Sequence, residues 1–331
     1  GLTHGLSALN APIDGRGSMA YGRGTGFQSA DVAFSAGTGR IRFGKVLQPF
    51  DSAKVRASYN PQTGDVEFDQ IRLAAAALGL DLKGKFRLIP QGKPKQPARI
   101  DFEVTGPKAT MAFVPGSEIQ TLSDIALRGS YTPELGLIGF HNSRASLAGK
   151  TVEANGQIEQ AIGKDGVPEG SWGAKLTARM VGTAVVDQAY PFWPGKVGIP
   201  ARNWVKAALK KGTLSNVYLA LDIPPGLPGG HLTNDMLKVG FDFDRVSIDV
   251  VEGLPLIEDG RGRALVQGDR FDLRLTSGRM RSVRLSEGLV SFPKFNPVAD
   301  AVFEGRAQRS EEHTSELQSR QYLVCRLLLE K

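Results

Sequence analysis

Cysteine is all but missing from this chain. The one residue, Cys325, stands close to the C-terminus, and the body before it has none. The body therefore holds no disulfide framework, thiolate nucleophile or cysteine metal site. Histidine is nearly as scarce. His4, His141, His231 and His313 are far apart and show no metal-ligand spacing. No apolar run approaches the ~18 residues that a membrane-spanning helix needs. The longest candidate, Leu73 to Leu80, is too short. The chain starts at Gly1, not Met, and no signal peptide follows. A fragment is expected, so a missing N-terminal anchor is uninformative.

Catalytic constellations are missing as well. The segments "GRGTG" (22–26) and "GRGRA" (260–264) resemble phosphate loops only superficially. Neither follows a clear strand and opens a helix, so tight strand turns are expected at both. "FDFD" (241–244) puts two Asp on one strand face, which reads as a solvated polar face and not as an acid–base pair. "FHN" and "GHL" offer no triad context. No cofactor or metal is expected, and no enzyme. A glycan-acting enzyme on a β-solenoid needs carboxylates converging on one face, and none do.

What the chain has is turns and alternation. Forty Gly and nineteen Pro in 331 residues favour many short elements over long helices. "VRASY" (55–59), "LGLDLKGKFRL" (78–88), "IDFEV" (100–104), "VYLALDI" (217–223) and "FDLRLTS" (271–277) alternate apolar and polar residues. That period marks strands with one apolar and one polar face, and argues against a doubly covered parallel sheet. Turn signals fall between the runs: "NPQTGD" (60–65), "TPELG" (132–136), "IEDGRG" (257–262) and "VQGDRF" (266–271).

The sequence also repeats. Tyr59, Pro61, Gly64, Phe68, Arg72 and Gly84 recur as Tyr131, Pro133, Gly136, Phe140, Arg144 and Gly156, every pair offset by 72 residues. The units span 55–86 and 127–158, and a weaker relative is expected over 243–275. Stacked hairpins predict a mainly β fold: an elongated, twisted antiparallel sheet or groove with one continuous apolar face. That face needs a cover, by a helix, a second sheet or a ligand. The expected lining is Leu78, Leu80, Leu82, Phe86, Leu219, Leu221, Phe271, Leu273 and Leu275.

The expected organisation is a β-repeat segment over 1–160, a linker over 161–173 and a second segment over 174–308. All three Trp lie within 172–204. Short helices are expected around 183–192 and over 201–211. Pro200 suits a first turn and Gly212 a stop. Ala201, Trp204, Val205 and Ala208 form an apolar stripe, and Arg202, Lys206 and Lys210 a basic one. The apolar stripe fits a cover on the sheet. The basic stripe is open to anionic lipid. The net charge of +7 points to anionic partners in general, or to dispersed surface charge kept for solubility. No aromatic-and-basic strand cluster of the RNA-binding kind appears, so nucleic acid is not expected.

The segment 189–226 resembles the signature region of the YhdP and AsmA-like proteins of Gram-negative envelopes. The residues that carry the resemblance are Trp193, Pro194, Arg202, Trp204, Val205 and Gly212. The segment 241–278 also looks like that family, and the 72-residue repeat fits its β-repeat body. The resemblance implies a periplasmic β-groove anchored in the inner membrane through an N-terminal segment. It implies phospholipid as partner, with carriage between inner and outer membranes or upkeep of the outer membrane, and other envelope proteins as further partners. A cysteine-free body suits the periplasm without requiring it. The alternative is a scaffold or translocation-assembly protein that binds polypeptide by strand addition. The tail stands apart. "RSEEHTSELQS" (309–319) resembles a translated sequencing adapter, so 309–331 is set aside from fold reasoning.

Overall fold

The structure, a computed structural model, describes residues 9–24, 26–43, 46–76, 78–90, 98–111, 118–163, 165–166, 168–190, 193, 199–226, 236–250, 254–294, 302–309 and 322–326. The chain is mainly β and antiparallel, with two short α-helices among the described residues. It divides into two units: residues 1–176 with 224–227, and 177–223 with 228–331.

The first unit holds a small three-stranded sheet and a long ladder. The small sheet is β1 (Leu9–Asn10), β4 (Gly39–Phe43) and β5 (Val46–Phe50). The ladder begins with β2 (Ile13–Gly22), β3 (Gly26–Ala36), β6 (Ser52–Asn60), β7 (Asp65–Ala75) and β8 (Leu78–Ile89). It continues through β9 (Arg99–Met111), β10 (Gln120–Thr132), β11 (Leu137–Leu147) and β12 (Lys150–Ile162). From β6 onward each strand pairs antiparallel with the next.

The sequence repeat is a repeat of register. Tyr59 pairs with Val66 and Ala57 with Phe68, while Phe68 pairs with Gly84. One repeat on, Tyr131 pairs with Ile138, Gly129 with Phe140, and Phe140 with Gly156. The irregularities repeat too. The β7–β8 register shifts between Phe68 and Ile71, and the β11–β12 register between Phe140 and Ser143. The turn "NPQTGD" closes with Gly64 at φ 72°, and "TPELG" with Gly136 at φ 56°, both left-handed. Asn60 opens the first turn by accepting the Gln62 N–H on its side chain at 2.9 Å.

The expected linker is a hairpin. Gly163–Gly166 makes a turn, with the Gly166 N–H donating to the Gly163 carbonyl at 3.0 Å, and β13 (Pro168–Met180) follows. The division between units falls inside that strand.

The second unit contains β14 (Ala184–Val185), helix α1 (Val186–Ala189), helix α2 (Ile199–Ala208), β15 (Leu209–Lys210), β16 (Thr213–Ile223) and β17 (Leu237–Ile248). Then come β18 (Ile257–Gln267), β19 (Arg270–Met280), β20 (Val283–Phe292), β21 (Val302–Arg309) and β22 (Tyr322–Arg326). β16 to β21 pair in sequence order, and β22, from the adapter-like tail, pairs with β21.

Two expectations need correction here. Helix α2 ends at Ala208, not at residue 211. Leu209 and Lys210 leave it to pair with Ile248 and Ser247. Gly212 is thus no helix stop. Its φ is 84°, and a Cβ there would sit 2.7 Å from the Val246 Cα, so backbone proximity requires glycine. "IEDGRG" and "GRGRA" are not turns either, for both lie within β18. Asp259, at φ 52°, falls in a register shift there, so Asp-Gly marks a bulge. "GRGTG" and "VQGDRF" do fall at hairpin turns, with Gly24, Gly26 and Gly268 all left-handed.

Candidate functional site

Two apolar surfaces follow from the same alternation, and they differ in what lies over them. In the second unit the face is closed. Ala201, Val205 and Ala208 of α2 are buried against a core that includes Phe241, Phe243, Phe271, Leu273, Leu275 and Phe292. Trp193 and Trp204 both stand 6.1 Å from the Phe271 ring, and Trp204 lies 5.8 Å from Phe292. Phe271 is 0% exposed and Leu273 1%. Tyr190, half-buried beside α2, donates its O–H to the Val205 carbonyl at 3.3 Å. Burial pushes its hydroxyl pKa up to about 12. The cavity that Tyr190, Trp193, Val205 and Phe241 help to line is about 20 Å³, room for one water and far too small for an acyl chain.

Phe271, Leu273 and Leu275 are therefore core residues, closed to a ligand. Leu219 and Leu221 are half-buried and pack against the same core. Val205 is buried, Trp204 half-buried, and both act as the cover's apolar face. Pro194 lies outside the described residues.

In the first unit the face is open. Registered rows run across it. Val55 meets Ile71, which meets Leu82. Leu73 meets Leu80, followed by Ala109, Leu122 and Leu147. Val66, Phe86, Phe102, Gly129, Phe140 and Gly156 form a third row. Leu78, Leu80, Leu82 and Phe86 are all half-buried. Among the described residues of this unit the only helical element is the three-residue turn Pro133–Leu135. Among the described residues of the ladder few apolar side chains are buried, Val104, Ala109, Ile125 and Leu147 among them.

An aromatic file crosses this face. Phe68 and Phe86 stand 4.9 Å apart edge to face, Phe86 and Phe102 6.0 Å, and Phe102 and Phe140 6.2 Å. Neighbouring rings sit on different strands, so the file runs across the strands. Glycine makes room for it. A Cβ on Gly84 would come within 2.9 Å of the Phe86 ring, and one on Gly129 within 2.7 Å of the Phe102 ring. The same device recurs in the second unit, where Gly262 underlies Phe243 and Gly240 underlies Tyr218. Sequence reasoning missed Phe102 and Phe140 as site residues. The offset that aligned Phe68 with Phe140 and Gly84 with Gly156 was the available signal.

The opposite face of the ladder carries paired charges. Arg87 and Lys85 reach Asp65 at 2.6 and 2.8 Å, and Arg72 reaches Asp81 at 3.1 Å. Arg87 first, and then Lys85, hold the Asp65 carboxyl well below the usual carboxylate range. In the second unit Arg263 does the same to Asp242, which also accepts from Asn216. The "FDFD" carboxylates are thus salt-bridged surface groups. His141 is exposed, and His4, His231 and His313 lie outside the described residues. Among the described residues no group of three metal-ligating side chains converges.

No protein-family model matches the chain, and no curated protein or solved structure shows significant similarity to it.

Proposed function

We propose that the open face of the first unit shields phospholipid acyl chains, and that the chain is a segment of an AsmA-like envelope protein. The observation that carries this reading is the continuous apolar surface of β6 to β12 with its aromatic file, half-buried at Leu73, Leu80, Leu82 and Phe86 and buried at Val104, Ala109, Ile125 and Leu147. Contiguous apolar surface of this kind is costly in water and is a mark of an interaction site. Acyl chains match it chemically: each buried CH₂ contributes ~0.8 kcal/mol, and a chain can slide without a polar anchor. The rows Leu73–Leu80–Ala109 and Phe86–Phe102 offer hydrocarbon and ring faces without an intervening charge. The resemblance of residues 189–278 to the YhdP and AsmA-like proteins supports the same reading. It carries with it a periplasmic location, an inner-membrane anchor and a part in outer-membrane integrity.

Native mass spectrometry of the chain purified from a Gram-negative host tests the proposal. Phospholipid should copurify, and Leu80→Lys together with Phe102→Glu should remove it without unfolding the chain. A lipid-free protein with no affinity for added lysophospholipid contradicts it.

A second reading, polypeptide binding by strand addition, is favoured by β2. Among the described residues this strand pairs with β3 alone, and Met19 and Tyr21 on it are 72% and 73% exposed. An edge of this length with no described partner on its outer side is a template for another strand, here over Gly17–Gly22, beyond the charged Asp14 and Arg16. Peptide capture that is lost on Ser18→Pro, with lipid absent, would favour this reading over the first.

A further inference from the structure

The two short helices of the second unit cover its apolar core and turn a second surface outward. That surface is basic, and no described acid pairs with its lysines. On α2, Asn203, Lys206 and Ala207 are exposed, and Lys210 and Lys211 are exposed just beyond it. Among the described residues none of these three lysines makes an ion pair. Cations on neighbouring strands behave differently. Arg245 and Arg261 pair with Asp244, Arg263 with Asp242, Arg270 with Asp272 and Arg279 with Glu258. The acids nearest the helices in sequence or by bonding are Asp187 on α1 and Asp249, whose N–H donates to the Ala208 carbonyl. Neither forms a salt bridge to the lysines among the described residues.

Arg202 sharpens the point. It is half-buried on α2, and its Nε is buried with no hydrogen-bond partner among the described residues. A guanidinium nitrogen removed from water without a partner is costly, and an anion beside the rest of the group offsets part of that cost. The same covering layer also exposes apolar side chains at its margins: Val185 before α1 is 48% exposed, and Ile199 at the start of α2 is 49%. Unpaired cations beside shallow apolar residues match the head-group boundary of a negatively charged bilayer.

We infer that the outer face of α2, with Arg202 and Lys206, and the adjoining Lys210 and Lys211 dock the second unit on the surface of an anionic phospholipid bilayer. The lysines meet phosphate head groups, Arg202 gains an anion that no described residue provides, and Val185 and Ile199 enter the interface. The inference does not rest on acyl shielding by the first unit: a protein can dock without taking up chains, and take up chains without this dock.

Cosedimentation of the full chain with vesicles tests it. Vesicles of phosphatidylcholine with about a third phosphatidylglycerol should bind, and pure phosphatidylcholine should not. Binding should fall as salt rises from about 50 mM to about 500 mM, since exposed charges are screened. K206E/K210E/K211E should weaken binding by at least about tenfold, because each cation near a charged surface contributes ~1 kcal/mol. R274E/R281E/R284E, three reversals on and beside β19 and β20, changes the net charge equally and should leave most of the binding. If both triple variants lose it equally, net charge and not the helix face is responsible, and the inference is overturned. Equal affinity for a DNA duplex, lost with the same lysines, also overturns it in favour of a general polyanion surface. If the lysine variant has lost its fold by circular dichroism, Lys206→Gln with Lys210→Gln replaces it, with the same direction expected. Unchanged binding in that folded variant contradicts the inference.

Discussion

Phe68 lies directly across the ladder from Gly84, and the missing side chain lets aromatic rings pack over the strand. Phe140 and Gly156 hold the same relation one repeat later. The pairing turns a glycine, poor in a strand on its own, into a seat for aromatic surface. It accounts for a file of rings whose spacing across strands stays between 4.9 and 6.2 Å from Phe68 to Phe140.

Filling that seat should distort the file. Gly84→Val would bring its side chain against the Phe86 ring, the Glu103 carbonyl and Val104. Overpacking of this kind costs about 1–3 kcal/mol. Urea denaturation should show the midpoint falling, and acyl binding should fall with it. Gly64→Ala, in an open turn at φ 72°, should cost stability without touching binding.

The cover of the second unit should be held by Trp204. It packs on Phe271 and Phe292 while Val205 fills the core beneath. Trp204→Ala should destabilise this unit by about 3 kcal/mol or more. Tryptophan fluorescence against urea reads the loss, and exposure of Phe271 should raise the binding of an apolar dye.

Gly212→Ala should be destabilising for a reason unrelated to helix capping. The left-handed φ alone costs about 1–2 kcal/mol for a residue with a Cβ. That Cβ would also meet the Val246 backbone. If the residue were a helix stop, Asn would substitute well. Here Gly212→Asn should also lower the melting temperature, because its Cβ meets the same Arg245 and Val246 backbone even though Asn tolerates the left-handed φ.

Acid should weaken the first unit partly through Asp65. Its folded pKa is depressed by Arg87 and Lys85, so the unfolded state binds a proton at higher pH than the folded state. Its contribution is fully present above the ordinary carboxylate value of about 4 and is lost as pH falls from there toward the folded value. Asp65→Asn should therefore lower stability at pH 7. The gap between it and the parent chain should narrow as pH is taken below about 4. Urea midpoints at several pH values check the sign.

Much of this architecture was legible in the sequence because strands and repeats leave regular marks. Equal spacing from Tyr59 to Gly84 and from Tyr131 to Gly156 carried over into equal register. Pro200 in the first turn of α2, and the apolar stripe that the helix buries, were legible for the same reason, although α2 starts at Ile199, two residues before the expected 201. Its end was not. Leu209 continues the apolar stripe, and only pairing with Ile248, distant in sequence, shows that it belongs to a strand. Asp259–Gly260 reads as a hairpin turn locally, yet the strands on both sides of it stay paired, so the signal marks a bulge. The largest ambiguity concerned the site itself. "LGLDLKG" and "FDLRLTS" alternate alike. The first is half-buried and the second closed, because α2, distant in sequence, packs over the latter. Periodicity tells which residues share a face, but what lies over that face is a long-range property.

The most direct test of acyl shielding places a photo-reactive side chain at Leu80, at Phe102 and at Lys83 in the chain expressed in a Gram-negative host. Leu80 and Phe102 lie on the open apolar face, and Lys83 points from the other side of the same sheet. Crosslinked phospholipid at Leu80 and Phe102 with little at Lys83 is the predicted result. No lipid at any position, or equal labelling of both faces, would contradict the account.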